Sequence, residues 1–373
     1  MHYKALINAF SSYSCINELL SARITTATSF ETSNANKFAT KIDYLTERLQ
    51  DLKTLLGVQQ VPNHAETLRS SGRINYDKLV DEFGCQRLDE TLIDRLERVT
   101  KRPAHVLLRR GKFFAHRDLN LILDAYEKGD KYYLYTERGP SSEALHLGHL
   151  IPFLFTKYLQ DAFKVPLVIQ LTDDAKYVYK NLSVEETKRL ARENAKDIIA
   201  CGFDISRTFI FSDFGYVGGG FYENAIKVLG NTTGNQMHGT FGITLADPSA
   251  KFIFPGLQAA PSFPDVAPKL GYQKPALIES SFLPALHGDS GKMSASIPNS
   301  AAYVTDSAEN IKSKVNKAHT GGGDSLEKQQ ERGANLDKDI PFKYLEFFVE
   351  YDAELEHIKQ AYGQVFADFY LLE

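Results

Sequence analysis

Short apolar runs alternate with helical patterns in the middle of the chain. The runs cover residues 131–136, 165–172 and 208–211, and apolar residues at three- and four-residue steps lie between them. The second run is nearly unbroken, as expected for a strand covered on both faces. The alternation predicts an α/β fold with a doubly wound, Rossmann-like parallel sheet, whose ligands lie beyond the carboxyl ends of the strands.

Helical patterns dominate both ends of the chain, and they predict helices over residues 75–100, 306–317, 324–332 and 341–362. Residues 183–202 also form a clear helix, because Ser183 and Glu186 make a capping box and Gly202 stands at its end. The stripes before residue 60 fit a helical hairpin or a coiled or disordered leader equally well. We expect four parts: a helical extension over 1–60, the N-terminal part of a catalytic region over 61–130, a nucleotide-binding domain over 131–302 and a helical domain over 303–373.

The composition argues against several classes of protein but does not indicate a function. The 373 residues carry a net charge of −4, so overall charge does not indicate a nucleic-acid partner, although one basic face would suffice. The three cysteines, Cys15, Cys85 and Cys201, have no paired spacing, which argues against a disulfide framework and a zinc site. No apolar run is long enough for a membrane span. Glu18 and Glu31 argue against a transit peptide, so we expect a cytoplasmic protein without membrane association.

The first chemical motif follows the strand at 131–136. In Gly-Pro-Ser-Ser-Glu-Ala-Leu-His-Leu-Gly-His-Leu, residues 139–150, two histidines bracket Gly148 at the start of a helical pattern. A helix N-terminus presents backbone N–H groups and a positive dipole end to phosphate. His146 and His149 would donate to phosphoryl oxygens there. The same tetrapeptide also arises by chance in solvated turns, so the motif alone leaves both interpretations open.

A second motif favours the phosphate interpretation. Residues 288–296 read Gly-Asp-Ser-Gly-Lys-Met-Ser-Ala-Ser, a glycine-containing loop whose Lys292 is a compact cation on a flexible stem. Together the two motifs resemble the signatures of the class I aminoacyl-tRNA synthetases. The amino-acid sequences of residues 139–143, 172–174 and 258–263 are similar to those of the tryptophanyl-tRNA synthetases of the eukaryotic type. The resemblance extends from about Asn75 to about Tyr351.

The resemblance implies roles for the two motifs. His146 and His149 would hold the transferring phosphate, Lys292 the departing pyrophosphate with Mg²⁺ bridging, and Ser294 and Ser296 the closed loop. No metal ligand is expected from the protein itself. The residues implied in ATP binding are Gly139, Ser141, Gly148 and Met293.

A tryptophan pocket is expected beside the first two strands. Tyr135 and Gln170 lie near the strand exits, where each offers an acceptor for the single N–H donor of an indole. The resemblance implies the same role, although a hydrogen-bonded core pair would look identical in sequence. It also implies that Gln258 holds the substrate ammonium.

The basic residues outside the motifs can be interpreted either as phosphate-binding residues or as a solvated face. The run at 107–118 resembles an element that covers the active site in the family, and its charges could contact phosphate or form a solvated face. Lys312, Lys314 and Lys317 are in turn candidates for tRNA backbone contact or for a solvated face. The basic residues of the run are Arg109, Arg110, Lys112, His116 and Arg117.

The chain departs from the family pattern in three places. After Phe263 a strand and helix of the active-site wall are missing, and the helical domain ends early. At position 175, alanine stands where the family has a carboxylate for the substrate ammonium, a loss of about 1.5–3 kcal/mol. Glu137 replaces a glycine and would repel phosphate.

The expected function is that of a tryptophan–tRNA ligase, with ATP, tryptophan and tRNA(Trp) as ligands and a homodimer as the assembly. The departures favour one alternative, a catalytically impaired paralogue that acts as a tRNA-binding or regulatory protein. A small-molecule adenylyltransferase would share the first motif but not the second. The tyrosyl sibling differs in the aromatic ring that its pocket accepts.

Overall fold

The computed structural model describes residues 57–59, 69–70, 73–74, 76–77, 80, 84–262, 269, 271, 273–293, 300–321 and 333–363, with the backbone alone for 57–59, 69–70, 73–74 and 289–292. The strands are β1 Gly57–Gln59, β2 Arg69–Ser70, β3 Arg73–Ile74, β4 Gln86–Arg87, β5 Phe113–Arg117, β6 Tyr133–Arg138, β7 Leu167–Leu171, β8 Thr208–Ser212, β9 Ala276–Ser280, β10 Pro284–Ala285 and β11 Gly288–Lys292. The helices are α1 Glu90–Thr100, α2 Val106–Arg109, α3 Leu119–Lys128, α4 Leu147–Phe163, α5 Asp173–Lys180, α6 Val184–Ala200, α7 Asp213–Tyr216, α8 Gly219–Gly230, α9 Gly234–Phe241, α10 Ala250–Ala259, α11 Ala308–Asn316, α12 Ile340–Phe348 and α13 Asp352–Gly363.

The main sheet has the strand order β4-β5-β9-β1-β6-β7-β8. The five strands from β9 to β8 run parallel, whereas β5 is antiparallel to β4 and β9. The predicted parallel sheet is therefore confirmed, and its three predicted strands correspond to β6, β7 and β8. Leu167, Ile169 and Gln170 of β7 are fully buried, which agrees with a strand covered on both faces.

The last residues of the predicted extension over 1–60 include a strand of the main sheet. Gly57–Gln59 forms β1, which lies between β6 and β9 and pairs with both. The helical patterns of the sequence end at Leu56, just before this strand, and β1 satisfies the backbone groups that β6 and β9 present on either side of it. Residues 1–56 and 60, which carry the rest of that prediction, lie outside the described residues.

Most predicted helices are confirmed, with corrected ends. The Ser183 hydroxyl accepts from the Glu186 N–H at 3.2 Å at the start of α6, and Gly202 has φ 78° just beyond its end. The predicted helix over 75–100 is interrupted at 84–89, where Gly84 has φ 67° and β4 joins the sheet. The pattern over 341–362 forms two helices, α12 and α13, since Val349 is extended. The predicted helix over 324–332 lies outside the described residues.

The basic run at 107–118 makes contacts other than those with phosphate. The Arg109 and Arg110 guanidinium groups bind the two carboxylate oxygens of Asp352 at 2.9 and 2.7 Å, and Lys112 binds Glu346 at 2.9 Å. These ion pairs connect α12 and α13 to the segment before β5. His116 is buried in the sheet and accepts from the Leu119 N–H, so the solvated-face interpretation is wrong for it.

The C-terminal helices share the hydrophobic core of the sheet. Asp339 precedes α12, is fully buried, and accepts hydrogen bonds from the Phe342 and Gly321 N–H groups and from the Thr320 and Tyr362 hydroxyls. One carboxylate thus holds three separate segments. The boundary between 302 and 303 stays a prediction, because this core crosses it.

The short helices between β8 and β9 were not predicted from the sequence. They are α7 to α10, and α10 carries Gln258 to the sheet edge. No helix within the described ranges has both the length and the apolar character that crossing a membrane would require.

Candidate active site

The turn from β6 into α4 carries the first motif. His146 is extended at the N-cap of α4, with φ −89° and ψ 163°, and its carbonyl accepts from the His149 N–H at 2.8 Å. The two imidazole rings stack with centroids 3.4 Å apart and an interplanar angle of 21°. His146 is buried, whereas His149 is half-buried. The two histidines therefore act as one unit at the helix N-terminus.

Arg138, the last residue of β6, was missed by sequence reasoning. Its Nη1 lies 3.1 Å from Nε2 of His149, and its Nε donates to Asn194 Oδ1 at 2.9 Å. Asn194 in turn donates to the Ser142 carbonyl at 2.6 Å. Burial lowers the pKa of Arg138 to about 10. Arg138 thus links the histidine pair, α6 and the motif turn, and the signal for it was a cation at the exit of a parallel strand.

The opposite face of β6 carries the predicted indole residues. The Tyr135 hydroxyl donates to Gln170 Oε1 at 2.5 Å, and Gln170 Nε2 donates to Asp213 Oδ1 at 2.7 Å. All three side chains are buried. The Tyr135 hydroxyl uses its proton in the bond to Gln170. Its oxygen therefore keeps lone pairs that can accept a hydrogen bond from a ligand N–H.

Gln258 and Glu137 close the same side. Gln258 Nε2 donates to both oxygens of the Glu137 carboxylate, at 2.7 and 2.8 Å, and the Tyr135 hydroxyl lies 3.4 Å from Glu137 Oε2. Burial raises the pKa of Glu137, while the Gln258 bond and the charge of Lys176 act in the opposite direction. The carboxylate that was expected to repel phosphate therefore contacts the residues of the expected amino-acid pocket.

Two carboxyl groups meet beneath this pocket. Asp174 and Asp213 are hydrogen-bonded to each other, which requires a proton on one of them. Burial raises the pKa of both, and the nearby Asp174 raises that of Asp213 further. Asp173 accepts from the Phe214 N–H at 3.0 Å. The Asp-Asp pair of the sequence is thus part of the floor beneath Gln170.

Lys176 lies between the two faces. A Cβ placed on Gly139 would overlap the Lys176 Cε and Nζ atoms, so the glycine makes room for the ammonium. Burial and the charge of Arg138 lower the pKa of Lys176 to about 8, against the opposing effect of Glu137. Ser141 lies in the same turn, half-buried.

The second motif lies against the first. β11 pairs with β10 as a hairpin, and the buried Met293 follows it. A Cβ on Gly148 would lie 3.7 Å from the Met293 Cβ and 3.2 Å from the His146 ring, so the two motifs are in contact. Ser294, Ser296 and the side chain of Lys292 lie outside the described atoms.

The predicted residues thus form two groups on the two faces of β6. One group has His146, Gly148, His149 and Met293, and the other has Tyr135, Gln170 and Gln258. The residues that the sequence did not single out for these roles are Arg138, Lys176, Asn194 and Asp213.

No family profile matches the chain. Among curated proteins, the cytoplasmic tryptophan–tRNA ligase of Arabidopsis thaliana is 62% identical, covering 82% of this chain and 84% of that protein. The human cytoplasmic tryptophan–tRNA ligase is 51% identical, covering 79% and 69%. The solved tryptophanyl-tRNA synthetase of Giardia lamblia matches with a TM-score of 0.74 at 39% identity, covering 78% of this chain and 86% of that one.

The doubly wound sheet with two adjoining motifs at its edge defines a nucleotide-binding domain of the class I synthetase type. The curated relatives named above are similar to the chain along most of its length, and both are tryptophan–tRNA ligases. The chain belongs to the tryptophanyl-tRNA synthetase family.

The alignment also agrees with the predicted internal deletion. It extends over 339 positions with the Arabidopsis protein, whereas 82% of 373 residues is about 306, so about 33 aligned positions have no counterpart in this chain. Residues 263–268, where the deletion was predicted, lie outside the described residues. The sheet position between β6 and β9 is taken by β1.

Proposed function

We propose that this chain activates tryptophan with ATP and transfers it to tRNA(Trp) in the cytoplasm. The observation that supports this most is the division of β6, with the histidine pair and Arg138 on one face and Tyr135 with its glutamine partners on the other. Ligands of a parallel sheet bind beyond the carboxyl ends of its strands, and Arg138 and Glu137 are the last two residues of β6. The names of the relatives give the same activity and the same compartment.

The first step forms one bond and breaks another. A carboxylate oxygen of tryptophan attacks the α-phosphorus of ATP, and the bond from that phosphorus to the bridging oxygen breaks, which releases pyrophosphate. In the second step a ribose hydroxyl of the tRNA attacks the carbonyl carbon and AMP leaves. The protein contributes positioning and charge stabilisation rather than a covalent intermediate.

The ATP side is assigned to the two motifs. His146 and His149 donate to the transferring phosphate at the N-terminus of α4, and Lys292 follows the pyrophosphate. Ser294 and Ser296 hold the loop closed. The residues that line the nucleotide are Gly139, Ser141, Gly148 and Met293.

Mg²⁺ is proposed to arrive with ATP. The described residues include no group of three or more His, Cys, Asp or Glu side chains arranged around a metal position. Phosphate oxygens are ligands that Mg²⁺ favours, so the nucleotide itself would supply them.

The amino-acid side is assigned to Tyr135, Gln170 and Gln258. The Tyr135 oxygen accepts from the indole N–H, while Gln170 fixes the hydroxyl proton. Phenylalanine would leave this acceptor unpaired in a buried site, which is the basis of its rejection. Tyrosine is excluded by the shape of the pocket.

The assembly is proposed to be a homodimer through helices α5, α8, α9 and α10. These helices pack against one another and expose large apolar side chains on their outer surface. A patch of this kind is typical of an interface. Its members are Tyr177, Tyr179, Tyr222, Ile226, Phe241 and Ile253 on the helices and Leu245 between α9 and α10.

The tRNA is proposed to contact the C-terminal helices. Lys314 is already paired with Asp306 at 2.6 Å and lies over the Tyr303 ring, so it is a poorer candidate than the sequence indicated. Lys312 and Lys317 are exposed on α11 or at its end and remain candidates for phosphate contact.

Tryptophan-dependent exchange of pyrophosphate into ATP tests the proposal. We expect exchange in the wild-type protein, and a loss of several orders of magnitude in Lys292→Ala with tryptophan binding nearly unchanged. Lys227→Ala, at an exposed position of α8, is the matched control. A folded wild-type protein without exchange would instead support the non-catalytic alternative.

A further inference from the structure

We propose that the carboxylate of Glu137 receives the α-ammonium group of tryptophan. This inference rests on the proposed function and deepens it, since it assigns the ammonium to a residue that the sequence indicated only as a disturbance. It makes Glu137 a binding residue of the amino-acid pocket.

The position of Glu137 in β6 is the first argument. Side chains alternate along a strand, so Tyr133, Tyr135 and Glu137 share one face while Arg138 points to the other. Glu137 is paired in register with Gln170 of β7, the partner of the Tyr135 hydroxyl. The carboxylate therefore lies on the indole side of the strand, one step closer to its carboxyl end.

The contacts of the carboxylate are the second argument. Gln258 donates to both of its oxygens, at 2.7 and 2.8 Å, which fixes their orientation. The Tyr135 hydroxyl is 3.4 Å from Oε2, so one small ligand can reach both groups. A carboxylate has about four lone-pair sites, so acceptor capacity remains for an ammonium. Glu137 is half-buried, which leaves it accessible.

Charge is the third argument. Within the described residues no cationic nitrogen forms an ion pair with Glu137, and Lys176 acts on it only from a distance. Burial raises the pKa of this carboxyl, and the Gln258 bond and the charge of Lys176 act in the opposite direction. An incoming ammonium would supply the missing charge through a short, charge-assisted hydrogen bond.

The other acids of the pocket are less suited to the role. Asp213 is buried, accepts from Gln170 and is hydrogen-bonded to Asp174, so these two carboxyls share a proton and are already engaged with each other. Position 175 is a buried alanine and has no charge to offer. Glu137 is the described carboxylate that contacts both Tyr135 and Gln258.

Two ligands that differ in the ammonium test the proposal. Tryptophan and 3-indolepropionate share the ring and the carboxylate, and only the first has the α-amino group. Their affinities would be measured by isothermal titration calorimetry for the wild type, Glu137→Gln, Glu137→Asp and the exposed control Glu223→Gln. Thermal unfolding would verify that each variant is folded.

We expect Glu137→Gln to bind tryptophan about 10- to 100-fold more weakly. Its affinity for 3-indolepropionate should be unchanged, because that ligand has no ammonium. Glu137→Asp keeps the charge and should retain a preference for tryptophan over 3-indolepropionate, which decides the matter if the glutamine variant does not fold. Glu223→Gln should behave like the wild type.

Unchanged or tighter tryptophan binding in Glu137→Gln would overturn the proposal, and tighter binding would mark the carboxylate as an obstruction. Pyrophosphate exchange by the wild type distinguishes a failure of the proposed function from a failure of the Glu137 assignment. If the wild type exchanges and Glu137→Gln keeps its tryptophan affinity, the proposed function stands and this inference fails. If the wild type binds tryptophan without exchange, the proposed function fails while the ammonium assignment is still measured.

Discussion

Arg138 Nη1 lies 3.1 Å from His149 Nε2. A guanidinium can only donate, so Nε2 must accept and the ring proton resides on Nδ1. The stacked His146 ring adjoins this oriented imidazole. One arginine at the end of a strand thus sets the tautomer of His149 and holds its ring beside that of His146.

Arg138→Lys tests this coupling. Lysine keeps the positive charge but lacks the planar group that bonds His149 and Asn194 together. We expect kcat for pyrophosphate exchange to fall by about a hundredfold, the cost of a small misplacement at a reacting centre. The KM for tryptophan should change little, since Tyr135 lies on the other face of β6. An unchanged kcat would show that His149 is held by other contacts.

Gly148→Ala separates stability from activity. Alanine in a helix gains about 0.5–1 kcal/mol over glycine, but its Cβ would lie 3.2 Å from the His146 ring, closer than usual. We expect a melting temperature near that of the wild type and exchange slowed by about tenfold or more, because His146 must shift. Gly239→Ala in α9 meets no heavy atom within 4 Å and is the control for the helix gain. Equal activity in both variants would contradict a displacement of His146 by the Cβ at position 148.

Asp213→Asn should change the pH dependence of stability. The raised pKa of Asp213 means that its contribution to stability is present below its ordinary value of 3.8 and is lost as pH rises through the raised value. Asparagine donates to Asp174 without a titrating proton and still accepts from Gln170. The variant should therefore melt a few degrees above the wild type at pH 8 and show a smaller advantage at pH 4.

Melting curves of both proteins between pH 4 and 8 would measure this difference. Asp173 titrates in both proteins, whereas Asp174 titrates together with Asp213, so the difference between the curves reports on the Asp174–Asp213 pair. A temperature difference that is constant over the range would mean that Asp213 does not share a proton.

Val58→Pro tests the strand at the centre of the sheet. Proline has no N–H, and β1 has neighbours on both sides, where proline is not tolerated. We expect a loss of about 1–3 kcal/mol in the free energy of unfolding, measured with urea. Val58→Ala keeps the backbone donor and serves as the control. If both substitutions cost the same, the backbone of β1 is not part of the sheet.

The sequence predicted those parts of the fold that have a local signal. The buried runs of β6, β7 and β8 and the Ser183 cap of α6 can be read within a few neighbouring residues. β1 could not be predicted, because its strand character comes from partners 75 or more residues away along the chain. Pairing over such distances leaves no periodicity in the segment itself.

In the candidate site, too, only the residues with a local sequence signal could be predicted. His146, His149 and Met293 were predicted from motifs, and the structure brings them together. Arg138 and Glu137 were harder, since adjacent residues of a strand point to opposite faces and their partners depend on the packing of α4, α6 and α10. The sign of the Glu137 charge was visible in the sequence, whereas its contact with Gln258 required the fold.

The placement of β1 has a consequence for synthesis on the ribosome. Gly57–Gln59 leaves the exit tunnel before β6, and β9 follows only after another 140 residues or so have been translated. Until then the nascent chain carries β1 with one open edge, a surface prone to pairing with foreign strands. Chaperone binding to ribosome-bound chains should therefore persist until translation has passed Ser280.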